Sequence, residues 1–162
     1  GGAILSRSAN LTLDNCTFDG NLATDGNGGA VWADGGNVTI VGGEFLANTA
    51  TSYGGAVYAA GCRLVVEGGS RFQGNTAIVG GGAAMFLFAS VNITDSVFRG
   101  NYARQSGGAL HAGLDIDVLV NRCRLRNNTL GKYGGATSGS SIILGEGTQL
   151  MHNSAVDDGG AV

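Results

Sequence analysis

Proline is absent from the 162 residues, and charged side chains make up only 13% of them. A chain without proline can commit every backbone N–H to a ladder of paired strands. Low charge together with an ordinary apolar content excludes the composition of a disordered segment. The net charge of −3 is too small and too mixed to argue for nucleic acid or an anionic membrane as partner. No apolar run approaches the roughly 20 residues needed to cross a bilayer, so no membrane span is expected in this segment. Three cysteines and two histidines leave little material for a metal centre, and no zinc-ligand spacing occurs. Helical 3.6-residue periodicity is missing over any useful length. The start shows neither an initiator Met nor a secretory leader. Both ends fall inside a repeat mark and lack the polar caps of a solenoid, so residues 1–162 are expected to be one uncapped segment of a longer protein.

What the chain does have is glycine, 31 residues of it, placed in pairs at a long period. Gly-Gly-Ala opens at Gly1, Gly28, Gly54, Gly81, Gly107, Gly134 and Gly159, in steps of 27, 26, 27, 26, 27 and 25 residues. Collagen is excluded, because that fold needs glycine at every third position. A second mark keeps a fixed lag. Phe18, Phe45, Phe72 and Phe98 each precede an asparagine by three residues, and Leu125 and Leu150 continue the series. The asparagines are Asn21, Asn48, Asn75, Asn101, Asn128 and Asn153. Two marks in phase over six periods identify a repeat protein.

Between the marks lie short apolar alternations such as Ala30–Ala33 and Asn37–Val41, separated by Gly, Asn, Asp and Ser clusters. Helical repeats and propeller blades are longer, and the leucine-rich frame is missing. The pattern predicts an all-β fold, a right-handed parallel β-helix of about six coils with three short strands per coil. The hand follows the general preference of parallel crossovers. At about 4.8 Å per coil the segment is on the order of 29 Å tall. The Phe/Leu mark then forms one apolar column, and Leu11/Leu13, Val38/Ile40, Val91/Ile93 and Val118/Val120 form two more. Extra residues in Gly68–Arg71 and near Gly145–Gly147 read as bulges. The asparagines are expected to be a structural ladder, since an amide offers donors and an acceptor to the coils above and below.

Candidate chemistry is thin. Cys16 and Cys123 share a slot but lie four coils apart, about 19 Å at strand spacing. Cys62 has no cysteine in adjoining coils, so three unpaired thiols are expected. His111 lies near Asp115 and Asp117, yet it occupies the slot of Leu5, Trp32, Tyr58, Met85 and Ser138, which suggests a lone surface histidine. His152 falls inside the Phe-x-x-Asn mark. Asp34, Glu44, Glu67, Asp95, Asp115, Asp117 and Glu146 occupy scattered slots and assemble no catalytic wall. The Asp- and Gly-rich runs at 25–29 and 157–160 read as polar turns rather than calcium loops. The Thr12/Thr39 column is interrupted by Val65 and Leu119, too soon for an ice-binding face. No catalytic residue, metal or cofactor is therefore expected. Asn-x-Ser/Thr sequons at Asn10, Asn15, Asn37, Asn92 and Asn127 are candidate N-glycosylation sites. Leu5, Trp32, Tyr58, Met85 and His111 form the candidate contact stripe; whether it points inward or outward stays open.

The Gly-Gly-Ala-(Ile/Leu/Val) and Phe-x-x-Asn marks, present along the whole chain, resemble the repeats of chlamydial polymorphic outer membrane proteins. Similar repeats occur in large surface proteins of algae and protists. The resemblance implies a β-helical passenger, surface-exposed and without enzymatic activity. The chain departs from it in having no β-barrel translocator, few lysines and several sequons. The resulting expectation is an extracellular or cell-surface rod, glycosylated, serving adhesion or scaffolding. Its partner would be a protein or glycan at the cell surface, or a second copy through rod sides or ends. The competing class is a carbohydrate-binding or polysaccharide-degrading β-helix whose active wall lies mostly outside this segment.

Overall fold

Each coil contains four short strands, one more than the alternation in the sequence predicts. The computed structural model describes residues 1–113, 116–139, 141–157 and 159–160. Coil 2 runs through Val31–Asp34, Asn37–Val41, Glu44–Leu46 and Thr49–Ala50. Every strand pairs in parallel with its counterpart in the adjoining coils, which gives four six-stranded parallel sheets. No helix occurs among the described residues. The fourth strand is only two residues long, too short to show alternation. It exists because the asparagine turn releases an Asn-x-Ala pair whose second residue faces inward: Ala50, Ala77 and Ala103 are fully buried.

Register turns the period into columns. On the second sheet Leu11, Val38, Leu64, Val91, Val118 and Ile142 are successive partners. Leu13, Ile40, Val66, Ile93, Val120 and Leu144 form the neighbouring inward row. On the third sheet the phenylalanines stack nearly face to face. Ring centroids are 4.9, 4.6 and 4.7 Å apart from Phe18 through Phe45 and Phe72 to Phe98. Leu125 continues the column fully buried, and Leu150 is half-buried in the last coil.

The Gly-Gly-Ala corner is explained by two different contacts. Gly28 has φ +64°, where an L side chain is strained, and a Cβ there would strike the carbonyl of Val31. Gly29 has an ordinary backbone, but its Cβ would strike the carbonyl of Gly55 in the next coil. The alanines that follow, Ala30, Ala56, Ala83, Ala109 and Ala136, are all at zero exposure. Ala161 of the last mark lies outside the described residues. The two expected bulges are corrected. The additional residues lie in turns between the second and third sheets, with Gly68, Gly69 and Gly147 at positive φ. The turns absorb the added residue without breaking the ladder: the Ser70 carbonyl still accepts from the Val97 N–H and the Glu146 carbonyl from the Arg122 N–H of the adjoining coil.

Candidate functional site

The asparagine column is saturated. Asn75 donates from Nδ2 to the Phe45 carbonyl at 3.0 Å and to Asn101 Oδ1 at 2.9 Å. Its own Oδ1 accepts from the backbone N–H and from Nδ2 of Asn48, each at 3.0 Å. Asn48, Asn101 and Asn128 repeat this arrangement, and each is essentially fully buried. Asn21 starts the series by donating to Asn48, and Asn153 ends it by donating to the Leu125 carbonyl. In the interior coils no amide hydrogen or lone pair is left for a ligand.

The first sheet carries the row of candidate contact residues, and it lies on the outward face. Leu5, Trp32, Tyr58, Met85, His111 and Ser138 are direct strand partners in sequence. The alternating inward residues Val31, Ala33, Val57 and Ala59 are buried beneath them. Met85 differs from its neighbours in the stripe. It is only 3% exposed, because it forms part of a groove of about 430 Å³ lined by Asn27, Tyr53, Tyr58, Leu87 and His111 among others. Tyr53 comes from the corner before the Gly-Gly-Ala mark, and its ring stacks on His111 at 6.5 Å and 12°. Gly80 occupies the partnered corner slot one coil on. A Cβ there would lie 3.0 Å from His111 Cδ2, so its smallness admits the imidazole.

His111 is thus not a free surface histidine. Its Nδ1 lies 2.7 Å from Ser138 Oγ, and burial pulls its pKa below the ordinary value, against an opposing hydrogen bond to Ser138. Above Met85, Trp32 and Tyr58 meet edge to face at 6.1 Å. Burial, then the charges of Asp34 and Tyr53, push the Tyr58 phenol up. The Trp32 indole Nε1 is buried with no hydrogen-bond partner. The wall therefore offers two aromatic faces, a thioether floor and a neutral imidazole, with the indole N–H out of reach beneath its surface. That set suits contact with a flat, weakly charged surface.

A family model described as right-handed beta helix region matches residues 1–158. The chain belongs to this family. No curated protein and no solved structure matches it. Membership in the right-handed beta helix family accords with the coiled parallel sheets and assigns no chemistry to the wall.

Within this β-helix the remaining candidates separate. Among the described residues no three His, Cys, Asp or Glu side chains lie together so as to hold a metal ion. Cys16, Cys62 and Cys123 are unpaired. Burial, then the charge of Asp34, raises the Cys62 thiol to about 11, so it stays protonated and unreactive. Asp117 accepts a hydrogen bond from Ser141 and Asp95 pairs with Arg122; Asp115 lies outside the described residues. Asn10, Asn15, Asn37, Asn92 and Asn127 are all exposed. Asn10 and Asn37 touch, the amide of Asn37 donating to Asn10 Oδ1 at 3.0 Å. Sequence reasoning missed Tyr53, because its corner slot reads Asn27, Tyr53, Gly80, Ser106 and Tyr133 from coil to coil. A slot without a repeated residue gives no signal until the corner is folded over the wall.

Proposed function

We propose that this chain is part of a non-enzymatic extracellular or cell-surface rod that acts as an adhesin or as the scaffold of a surface assembly. The observation that carries the reading is the aromatic wall of the first sheet. Trp32 and Tyr58 are held rigidly edge to face beside a groove, and aromatic anchors of this kind dominate protein interfaces. The regular interior supports it too: the residues that repeat are committed to stacking, while the residues that vary are those on the wall. The Gly-Gly-Ala and Phe-x-x-Asn marks add the resemblance to polymorphic outer membrane proteins and to related surface proteins of algae and protists. Exposed sequons at Asn10, Asn15, Asn37 and Asn92 fit a glycosylated rod.

The test compares wild type with a Trp32→Ala/Tyr58→Ala variant for retention on whole cells or extracellular matrix. The expected result is at least a tenfold loss of binding, as for removal of two interface anchors worth about 2 kcal/mol each. Unchanged retention, with the fold intact by circular dichroism, would reject the wall as the contact. A parallel incubation with uronate and neutral glycans checks the enzyme class. Release of reducing or unsaturated ends would replace this proposal with a carbohydrate-active one.

A further inference from the structure

Charge is small in total but segregated along the rod. Residues 1–62 carry five carboxylates against Arg7 alone, whereas residues 96–133 carry six cationic side chains against Asp115 and Asp117. The fold gathers most of the latter on one side of coils 4 and 5. Arg99 and Arg126 are direct strand partners on the third sheet. Like charges placed directly opposite one another destabilise a sheet, and nothing in the stacking requires them. Among the described residues the only ion pair is Arg122 with Asp95, so neither guanidinium is neutralised by a carboxylate. The Arg126 Nε is in addition buried without a hydrogen-bond partner. A buried unpaired donor of this kind costs stability and is out of a ligand's reach, so what the pair presents to an outside anion is the exposed Arg99 and the half-exposed remainder of the Arg126 guanidinium.

Around the next turn the same two coils form a second cationic position. Tyr102, Arg104, Lys132 and Tyr133 line an open hollow of about 640 Å³ with Gln105 and Ser106. Both cations are exposed, and the two tyrosines are 39% and 46% exposed. Lys132 Nζ lies 5.5 Å from the Tyr133 ring centre. From Arg99 to Arg104 the path is five residues, at most about 17 Å of extended chain. The anionic groups that satisfy both positions are therefore spaced along one flexible strand.

We propose that this side of coils 4 and 5 binds a polyanionic glycan chain. Arg99 and Arg126 take one anionic group between them, and Arg104 and Lys132 take another. Tyr102 and Tyr133 lie against the sugar rings, and Gln105 and Ser106 reach the hydroxyls. Planar guanidinium forks suit both sulfate and carboxylate, so either a sulfated or a uronate chain supplies the chemistry. Nucleic acid is disfavoured, because the patch is two coils tall, about 10 Å, and the acidic coils 1 and 2 repel a long polyelectrolyte beyond it. The surface is distinct from the aromatic wall, and its test does not depend on that wall.

The experiment measures binding of fluorescent heparin oligosaccharide, oligogalacturonate, neutral dextran and oligothymidylate by anisotropy across a salt series. Wild type is expected to bind one or both anionic glycans, more weakly as salt rises, and to leave dextran unbound. Arg99→Ser/Arg126→Ser and Arg104→Ser/Lys132→Ser should each weaken binding more than about tenfold, the effect of losing at least one charge-assisted hydrogen bond. Arg7→Ser/Arg63→Ser, which removes equal charge elsewhere, should leave it within about twofold. Tyr102→Ala/Tyr133→Ala should weaken binding without changing the salt slope. The heparin and oligogalacturonate arms tell sulfate from carboxylate. No glycan binding, equal loss in the Arg7/Arg63 control, or oligothymidylate bound as tightly as glycan would each overturn the proposal. Two further readouts bear on it. Arg99→Gln should raise the thermal midpoint of the unliganded protein, and a fall would make the arginine pair part of the fold instead. A glycan on Asn127, exposed between Arg126 and Lys132, would cover the surface; finding that site occupied by peptide mass mapping of natively purified protein would overturn the proposal.

Discussion

Asn75 shows how much one side chain holds in this fold. Its amide closes four hydrogen bonds to three residues in the coils before and after its own, all out of water. Asn75→Ala would orphan the Asn48 N–H and one Asn48 amide hydrogen and would take one donor away from the Phe45 carbonyl. At about 1–3 kcal/mol for each buried unsatisfied group, a loss of about 3 kcal/mol or more is expected in urea unfolding. Asn153→Ala, at the half-buried last coil, should cost clearly less. This ladder was legible in the sequence, because the asparagine repeats in every coil and stacking carries equal slots onto one another. His111 was legible only as an outward slot. Its partner Tyr53 comes from a corner of another coil, in a position where nothing repeats. Burial lowers the His111 pKa, so the folded state prefers the neutral imidazole while the unfolded chain titrates normally. The contribution is fully present above about pH 6.5, the ordinary histidine value. It is lost as pH falls below that toward the folded pKa. Thermal midpoints of wild type and His111→Gln should therefore diverge as pH falls from 7 to 5, with wild type losing more.

At the scale of the element, the corner decides whether coils can stack. Gly55 leaves no room for a methyl group: a Cβ would meet the Gly82 carbonyl of the next coil and lie 2.6 Å from both N and O of Thr76. These are backbone atoms of a paired strand and cannot swing aside. Gly55→Ala is expected to cost about 4 kcal/mol or more, the range of the severest single substitutions. Poor soluble yield or early unfolding on heating would report it, and a Gly74→Ala control faces open space and differs only by its backbone strain. The strands themselves show the limits of reading periodicity. Four- and five-residue strands alternate long enough to be seen, and the two-residue fourth strand does not. Asn-x-Ala recurs as plainly as Phe-x-x-Asn, yet two residues carry no period of their own. Only the ladder between coils makes them a sheet.

For the whole molecule, parallel in-register stacking is the reason so much could be read from the chain alone. Each slot meets its own equivalent above and below, so the repeat settled the axis, the apolar columns, the asparagine ladder and the separation of Cys16 from Cys123. The unequal distribution of charge is likewise visible as a list of residue numbers. Tertiary structure decided the rest. It set Arg99 directly opposite Arg126, brought Tyr53 over His111, and decided the direction of the stripe while burying Met85 within it. The physical reason is that columns depend only on what recurs along the chain, whereas grooves and patches depend on residues that differ between neighbouring coils and meet across a corner. Those meetings have no period, and the path of the backbone around each turn alone determines them.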